Sequence, residues 1–372
     1  MSTQRLDRVV AALRERRLAG LALMPDANLT YLSSLGFHKG KRLTLALIPA
    51  DGARPCFVLP ALEQSKCEAG SLVAMRYFPW SDADGPAAAL EAAVAAAFPE
   101  GLGGRELAVE FTSLRVMELR AIEAAIPSLR VADATAMMAD LRMVKDEQEL
   151  AAIEQAVRIV EVALRRTVEQ IRAGMTEREL SRICADAIVA AGADGESFEN
   201  IVASGPNAAN PHHSNSDRAF QPGDLIIIDC GARYGGYISD ITRTVALGEP
   251  SDEARRIYEL VLGANEAGRR ACRPEATGAE IDAAARSVIE AGGYGQSFIH
   301  RTGHGYGLEA HELPNIVAGS DEPLAPGTTF TVEPGIYVPG LTGVRIEDDM
   351  VITADGARSL TSFPRELMII PA

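Results

Sequence analysis

From Asp146 onward, Leu150, Ile153, Val157, Val160, Leu164, Val168 and Ile171 recur three and four positions apart. That period puts them on one face of a long helix, with Gly174 closing the segment. "TERE" follows, in which Thr176 and Glu179 form a capping box that starts another helix. Thr277 and Glu280 repeat the device ahead of "IDAAARSVIEAGG". After each helical stretch comes a loop bearing glycine and histidine, then two apolar strands carrying acids. The pattern predicts a duplicated unit of helix pair and acidic hairpin.

The first third reads differently. "LDRVVAALRERRLAG" predicts an amphipathic helix ended by Gly20, and "LALMPDANLTYLSSL" a strand, a turn and a helix start. Two apolar runs in "LTLALIPADGARPCFVLP" meet across Asp51-Gly52, a hairpin signal. An Ala-rich helix, "GPAAALEAAVAAAFPEGLGG", and the strand "ELAVEF" follow. The expectation is a small α/β domain without a catalytic cluster, in which Trp80 is a packing or rim residue. The character changes between residues 135 and 145, which divides the chain into 1–140 and 141–372.

Composition narrows the class. The 372 residues are 47% apolar and 23% charged, an ordinary globular balance. No apolar run is long enough for a membrane helix, and the charged start lacks a secretory signal. Five scattered cysteines without a CxxC pair point to reduced thiols and a cytoplasmic setting. A net charge of −15 opposes nucleic acid and anionic membranes as partners.

The chemistry lies in the hairpins. "DLIIIDCGARYGGYISDITRTV" places Asp229 and Asp240 in strand-like sequence, where Asp is depleted. A two-residue turn at Tyr234-Gly235 would set the two aspartates opposite each other, with Cβ atoms roughly 4.5–5.5 Å apart. A solvated face is the bland alternative, which the neighbouring Ile226, Ile227 and Ile228 disfavour. In "TFTVEPGIYVPGLTGVRIEDDMVIT" a loop centred on Gly340 likewise opposes Glu333 and Glu347. Two hairpins that both oppose carboxylates suit two divalent cations, a pairing fitted to hydrolysis. Of six histidines only His38 lies in the first domain. His212 and His213 occupy "GPNAANPHHSN", and His300, His304 and His311 occupy "HRTGHGYGLEAHELP", where glycines 303, 305 and 307 predict a tight loop in close approach to something.

These blocks, "IDCGARYGGYISDITRTV", "GHGYGLEAHE", "TVEPGIYV" and "GVRIEDDMVI", resemble the metallopeptidase family of aminopeptidase P, prolidase and methionine aminopeptidase over residues 145 to 372. The leading α/β domain is similar to the one prolidases and aminopeptidases P carry. The resemblance implies an α+β pita-bread fold, two halves related by a pseudo-twofold around two metals. It implies Asp229, Asp240, His304, Glu333 and Glu347 as ligands, Asp240 and Glu347 bridging, with Asp229 on one ion and His304 and Glu333 on the other. Water activated between the metals would be the nucleophile. Glu333 would carry its proton to the leaving nitrogen. His212 and His311 would hold substrate and hydrogen-bond the developing oxyanion. Arg345 would brace a metal carboxylate, against the bland reading of a surface strand charge. For His213 and His300 the structural reading is preferred. Carboxylates with one imidazole suit Mn²⁺ first, with Co²⁺ or Zn²⁺ as alternatives.

The resemblance implies cleavage between an N-terminal residue and a following proline, and a homodimer or larger assembly in which the first domain shapes the site's rim. Some prolidases bind the dipeptide carboxylate with an arginine after "HExP", where this chain has Asn315. An uncharged amide lacks the charge-assisted bond a carboxylate favours. The expectation therefore leans to Xaa-Pro aminopeptidase over Xaa-Pro dipeptidase. Methionine aminopeptidases usually lack the leading domain, creatinase uses no metal, and non-enzymatic relatives have lost the acids.

Overall fold

The computed structural model describes residues 2–37 and 39–372; His38 lies outside the described residues. The chain divides into two compact units, Met1–Arg142 and Met143–Ala372.

In the first unit, strands β1 (Gly20–Leu23), β2 (Leu45–Pro49), β3 (Cys56–Pro60), β4 (Arg76–Trp80), β5 (Leu107–Val109) and β6 (Val131–Asp133) form a mixed sheet ordered β4-β3-β2-β1-β5-β6. Helices α1 (Ser2–Glu15), α2 (Ala27–Ser33), α3 (Gln64–Gly70), α4 (Ala87–Ala97), α5 (Val116–Ala125) and α6 (Thr135–Met143) belong to this stretch. The hairpin across Asp51-Gly52 is β2–β3. Trp80 is a packing residue, its indole N–H donating to the Leu43 carbonyl at 3.0 Å. Gly20 does not end the first helix. It opens β1, where a Cβ would come within 2.6 Å of the Ile48 carbonyl oxygen, while Arg17 at φ 56° turns the chain after α1.

The second unit has the pita-bread architecture. Its first half holds α7 (Glu147–Val168), α8 (Glu177–Ala190) and strands β7 (Gly195–Glu196), β8 (Ile201–Ser204), β9 (Leu225–Cys230), β10 (Ala232–Tyr234), β11 (Tyr237–Ile238) and β12 (Ile241–Leu247). Its second half holds α9 (Asp252–Ala271), α10 (Gly278–Ala291), β13 (Gly303–Gly305), β14 (Glu312–Ile316), β15 (Thr329–Val332), β16 (Gly335–Val338), β17 (Thr342–Arg345), β18 (Asp348–Ile352) and β19 (Ala357–Ser359); β20 (Ile369–Ile370) returns to pair with β12. Two sheets, ordered β20-β12-β9-β8 and β14-β13-β15-β18-β19, carry the matching hairpins.

The periodic face of α7 explains its packing. Ile153, Val157, Val160, Leu164 and Val168 are buried, and the last three join Ile226 and Ile228 of β9 in one core cluster. Both capping boxes form, Thr176 with Glu179 and Thr277 with Glu280, 101 positions apart. Each capping threonine also bridges a later strand-like residue, Thr176 to Ala219 and Thr277 to Pro323. The duplication predicted from the pattern is thus a repeat of backbone geometry. Five cysteines are free and buried. Among the described residues no helix is long and apolar enough to cross a membrane.

Candidate metal centre and active site

The second hairpin has the predicted register. Thr331 pairs with Asp349 and Val332 with Asp348 on one side, and Gly335 with Arg345 on the other. Glu333 and Glu347 face each other at the break between these two ladders. Their own N–H groups go elsewhere, Glu333 to the Thr302 carbonyl (2.7 Å) and Glu347 to the Thr242 carbonyl (3.1 Å). The second bond ties one acidic hairpin to the other.

The first hairpin differs from expectation. Its turn is Gly235-Gly236, at φ 59° and 86°, not Tyr234-Gly235. Both central residues need positive φ in the turn that matches strand twist, so two glycines win over tyrosine and glycine. Asp229 consequently pairs with Thr242, and Asp240 lies two positions from that pair on the same face. The pairing has moved by two, which preserves the side-chain face. Gly231 lets the strand pinch here, since a Cβ would come within 2.1 Å of the Ser239 carbonyl oxygen. The glycine-rich segment around His304 is also not a loop but strand β13. Its glycines allow close approach to neighbouring backbone: a Cβ at Gly303 would come within 1.9 Å of Thr331 O and one at Gly305 within 2.0 Å of Leu313 O.

All eight predicted site residues line one cavity of about 320 Å³: His212, Asp229, Asp240, His304, His311, Glu333, Arg345 and Glu347. Ligand-capable atoms of Asp240, His304 and Glu347 lie within 4.8 Å of one another. His304 Nε2 is 3.2 Å from Glu333 Oε1 and 3.9 Å from Asp240 Oδ2. Asp229 sits across from them, its Oδ2 accepting from Arg345 Nη2. Arg345 is no surface charge. It is 4% exposed and donates also to the Tyr337 hydroxyl (2.9 Å) and Thr242 Oγ1 (3.1 Å).

This many carboxylates in one buried place is unstable as it stands. Burial raises the Asp240 carboxyl well above its usual range, and the charges of Glu347 and Asp229 push it further. Glu347 is raised likewise by burial, then by Glu333 and Asp229. Burial also raises Asp229, against the opposing pull of Arg345. Burial works against the Glu333 anion too, yet the His304 hydrogen bond and charge hold that carboxyl at about 2. Asp229 Oδ1 and Asp240 Oδ1 are buried without any hydrogen-bond partner. Orphaned carboxylate oxygens are costly unless a cation takes them. An oxygen-rich set with one imidazole is the donor chemistry of a divalent first-row ion.

The remaining histidines divide by role. The His311 ring stands edge-on to His304, centroids 4.4 Å apart. Burial, then His304 and Arg301, lower it to about 4, so near neutrality it keeps one ring donor and one acceptor. His213 is tied to Glu177, its Nε2 2.7 Å from the carboxylate. His300 lines the cavity, and its Nε2 meets the Tyr337 hydroxyl at 2.9 Å.

Sequence reasoning missed four supports. Thr242 donates to Glu347 Oε2 at 2.6 Å, and Tyr337 joins Arg345 to His300. Asp349 Oδ2 accepts the Asp240 N–H at 3.0 Å. Glu177, fully buried at the start of α8, gathers the loop that presents His212. It accepts from the Ser204 N–H and hydroxyl (both 2.8 Å), Asn207 (3.1 Å), and the Ser216 N–H (3.1 Å) and hydroxyl (2.6 Å). The capping box itself is satisfied by Glu179, two residues further on, so the local pattern at this helix start assigns Glu177 no partner.

Comparison with known proteins places this geometry. Residues 151–354 match the model for metallopeptidase family M24, and residues 5–144 match the creatinase/prolidase N-terminal domain. The chain belongs to metallopeptidase family M24. It is a metal-dependent hydrolase of the prolidase and aminopeptidase P branch. A probable dipeptidase PepE of Mycobacterium tuberculosis is 40% identical over 372 residues, 99% of this chain and 96% of that protein. The crystal structure of a recombinant prolidase from Thermococcus sibiricus superposes with a TM-score of 0.93 at 35% identity, covering 100% of this chain and 99% of that one. An X-Pro aminopeptidase from Thermotoga maritima gives a TM-score of 0.84 at 33% identity, covering 97% and 100%.

Proposed function

We propose that the protein is an Xaa-Pro dipeptidase, a prolidase, that works with two divalent metal ions. The observation that carries the hydrolytic reading is the cavity in which Asp229, Asp240, Glu333 and Glu347 converge with His304 while two aspartate oxygens stay unpartnered. The dipeptidase reading departs from the aminopeptidase lean suggested by Asn315. It is supported by the dipeptidase and prolidase names of similar proteins that match the full chain, whereas the X-Pro aminopeptidase from Thermotoga maritima superposes with a lower TM-score.

Asp229, Asp240, His304, Glu333 and Glu347 would hold the ions, which when bound supply Lewis-acid polarisation of the scissile carbonyl and of a water. Mn²⁺ is the first choice, Co²⁺ or Zn²⁺ the alternatives. Glu333, whose carboxyl stays ionised near neutrality, accepts a proton from the attacking water. It returns that proton to the proline nitrogen as the C–N bond breaks. The tertiary amide has no N–H of its own, so the leaving nitrogen needs this delivered proton. His212 and His311 orient the substrate and hydrogen-bond the carbonyl oxygen as it gains charge. Arg345 holds Asp229 in place from the far side.

The test is hydrolysis by Mn²⁺-reconstituted protein of an Xaa-Pro dipeptide beside an Xaa-Pro-Xbb tripeptide. Preference for the dipeptide supports the reading. Tripeptide cleavage with the dipeptide untouched makes the protein an aminopeptidase P, and turnover of neither overturns the proline assignment.

A further inference from the structure

A dipeptidase differs from its longer-peptide relatives in one chemical demand: the substrate's C-terminal carboxylate lies inside the site and needs a cation. The proline Cα follows the preceding residue's Cα by only about 3.8 Å if the peptide is trans, so that carboxylate sits close to the reacting carbonyl. Asn315 cannot meet the demand. Two guanidinium groups line the cavity, Arg301 and Arg345. Arg345 is committed, held by Asp229, Tyr337 and Thr242.

Arg301 is different. Among the described residues its guanidinium makes one hydrogen bond, Nη1 to Asn315 Oδ1 at 2.6 Å, and it has no acidic partner. It is half-buried on the cavity wall. It lies three positions before His304, a backbone reach of at most about 11 Å. Asn315 is the cross-strand partner of His304 in the β13–β14 ladder. The amide oxygen at position 315 therefore fastens Arg301 beside the candidate metal centre and leaves the rest of its planar fork to face the cavity. A bidentate fork without a carboxylate is the shape that binds one. The cavity adds a reason: two divalent ions would neutralise the four carboxylates, so an incoming anion gains nothing from surplus metal charge.

We infer that Arg301 is the anchor for the substrate's C-terminal carboxylate, and that Asn315 positions it in place of the arginine some relatives carry there. This rests on the dipeptidase reading above and adds the residue that sets the substrate class.

The test uses full-length, Mn²⁺-reconstituted protein on Ala-Pro and on its C-terminal amide. Wild type should favour the free acid by kcat/KM. Arg301→Ala should lose roughly 10- to 100-fold on the acid, mainly through KM, the range expected for a charge-assisted bond, with a much smaller loss on the amide. Arg301→Lys, which keeps charge without the fork, should fall between. The double variant Arg301→Ala/Asn315→Arg should regain preference for the acid. A wild-type preference that survives Arg301→Ala sinks the assignment and leaves the dipeptidase reading intact. Equal losses on acid and amide, with no recovery in the double variant, mean a structural role and also sink it. A wild type indifferent to the free carboxylate removes the dipeptidase reading and this inference together.

Discussion

The two halves of the catalytic unit share a backbone plan and spend it differently. Asp229 of β9 answers to Glu333 after β15, and Asp240 before β12 answers to Glu347 before β18. The N–H of Arg178 bonds the Ser216 carbonyl as the N–H of Ala279 bonds the Ser320 carbonyl. At the first position of the second helix the halves part. Glu177 there gathers the 204–216 loop by its carboxylate. Its counterpart is Gly278, where a Cβ would come within 2.3 Å of the Asn315 carbonyl oxygen. One half builds its substrate-side loop around a buried charge; the other packs backbone against backbone. The same helix-start position thus carries a buried carboxylate in one half and bare backbone in the other.

The largest break in this comparison removes one of the matching acids. Glu333→Ala should lower turnover on the order of 10³-fold or more, since a proton carrier and a candidate ligand go together. Asp229→Ala should match it while leaving Arg345 without its carboxylate. Turnover measured beside bound metal per chain checks both, and His213→Ala should leave most turnover intact. Comparable losses in Glu333→Ala and His213→Ala would mean the site is misassigned. Next comes Glu177→Gln, which keeps volume but removes the charge that six hydrogen-bond donors face. A loss on the order of 3 kcal/mol is expected, with reduced turnover and undiminished metal uptake, read by thermal unfolding and metal titration. Loss of metal in step with turnover would show that the loop does more than carry His212.

Gly278→Ala probes the other half. An added methyl against backbone cannot be relieved by rotating a side chain, so about 1–3 kcal/mol of destabilisation is expected. Gly293→Ala is the control for conformation without crowding, because no atom lies within 4 Å of its added Cβ although φ is +88°. A larger drop in midpoint temperature for Gly293→Ala would mean that crowding at the cap is not what selects glycine at 278.

Much of this was legible along the chain. The α7 face, both capping boxes and the register of the Glu333–Glu347 hairpin followed from spacing, because each is fixed by neighbours close in sequence. The other hairpin turns one position later than the spacing predicts, yet Asp229 and Asp240 both still line the cavity. A hairpin slip of that kind moves the pairing by two and leaves Asp229 and Asp240 on the same face. Glu177 and Arg301 were not legible as functional. Glu177's partners stand 27 to 39 positions away, and Arg301's stands 14 away across a bulged ladder. Local pattern carries no trace of such pairings. A helix-starting glutamate and an arginine before a threonine look ordinary until the chain folds.

The finest distinction between the halves is their response to acid. Burial alone would raise the Glu177 carboxyl, but the hydrogen bonds of Ser216, His213, Ser204 and Asn207 outweigh it and hold it below its ordinary 4.5. A group depressed in the folded state stabilises fully above its unfolded pKa and loses that contribution as pH falls through the folded value. Acidification from pH 5 downward should therefore loosen the 204–216 loop, at about 1.4 kcal/mol per unit of pKa difference. Gly278 has nothing to titrate, so the corresponding 315–323 segment should not share this loss. Hydrogen exchange of both segments between pH 5.5 and 3.5, corrected for intrinsic rates, reads the difference directly. Glu177→Gln should abolish it. Equal loosening of the two segments in wild type would mean that the shared backbone plan, not the buried charge, governs both caps.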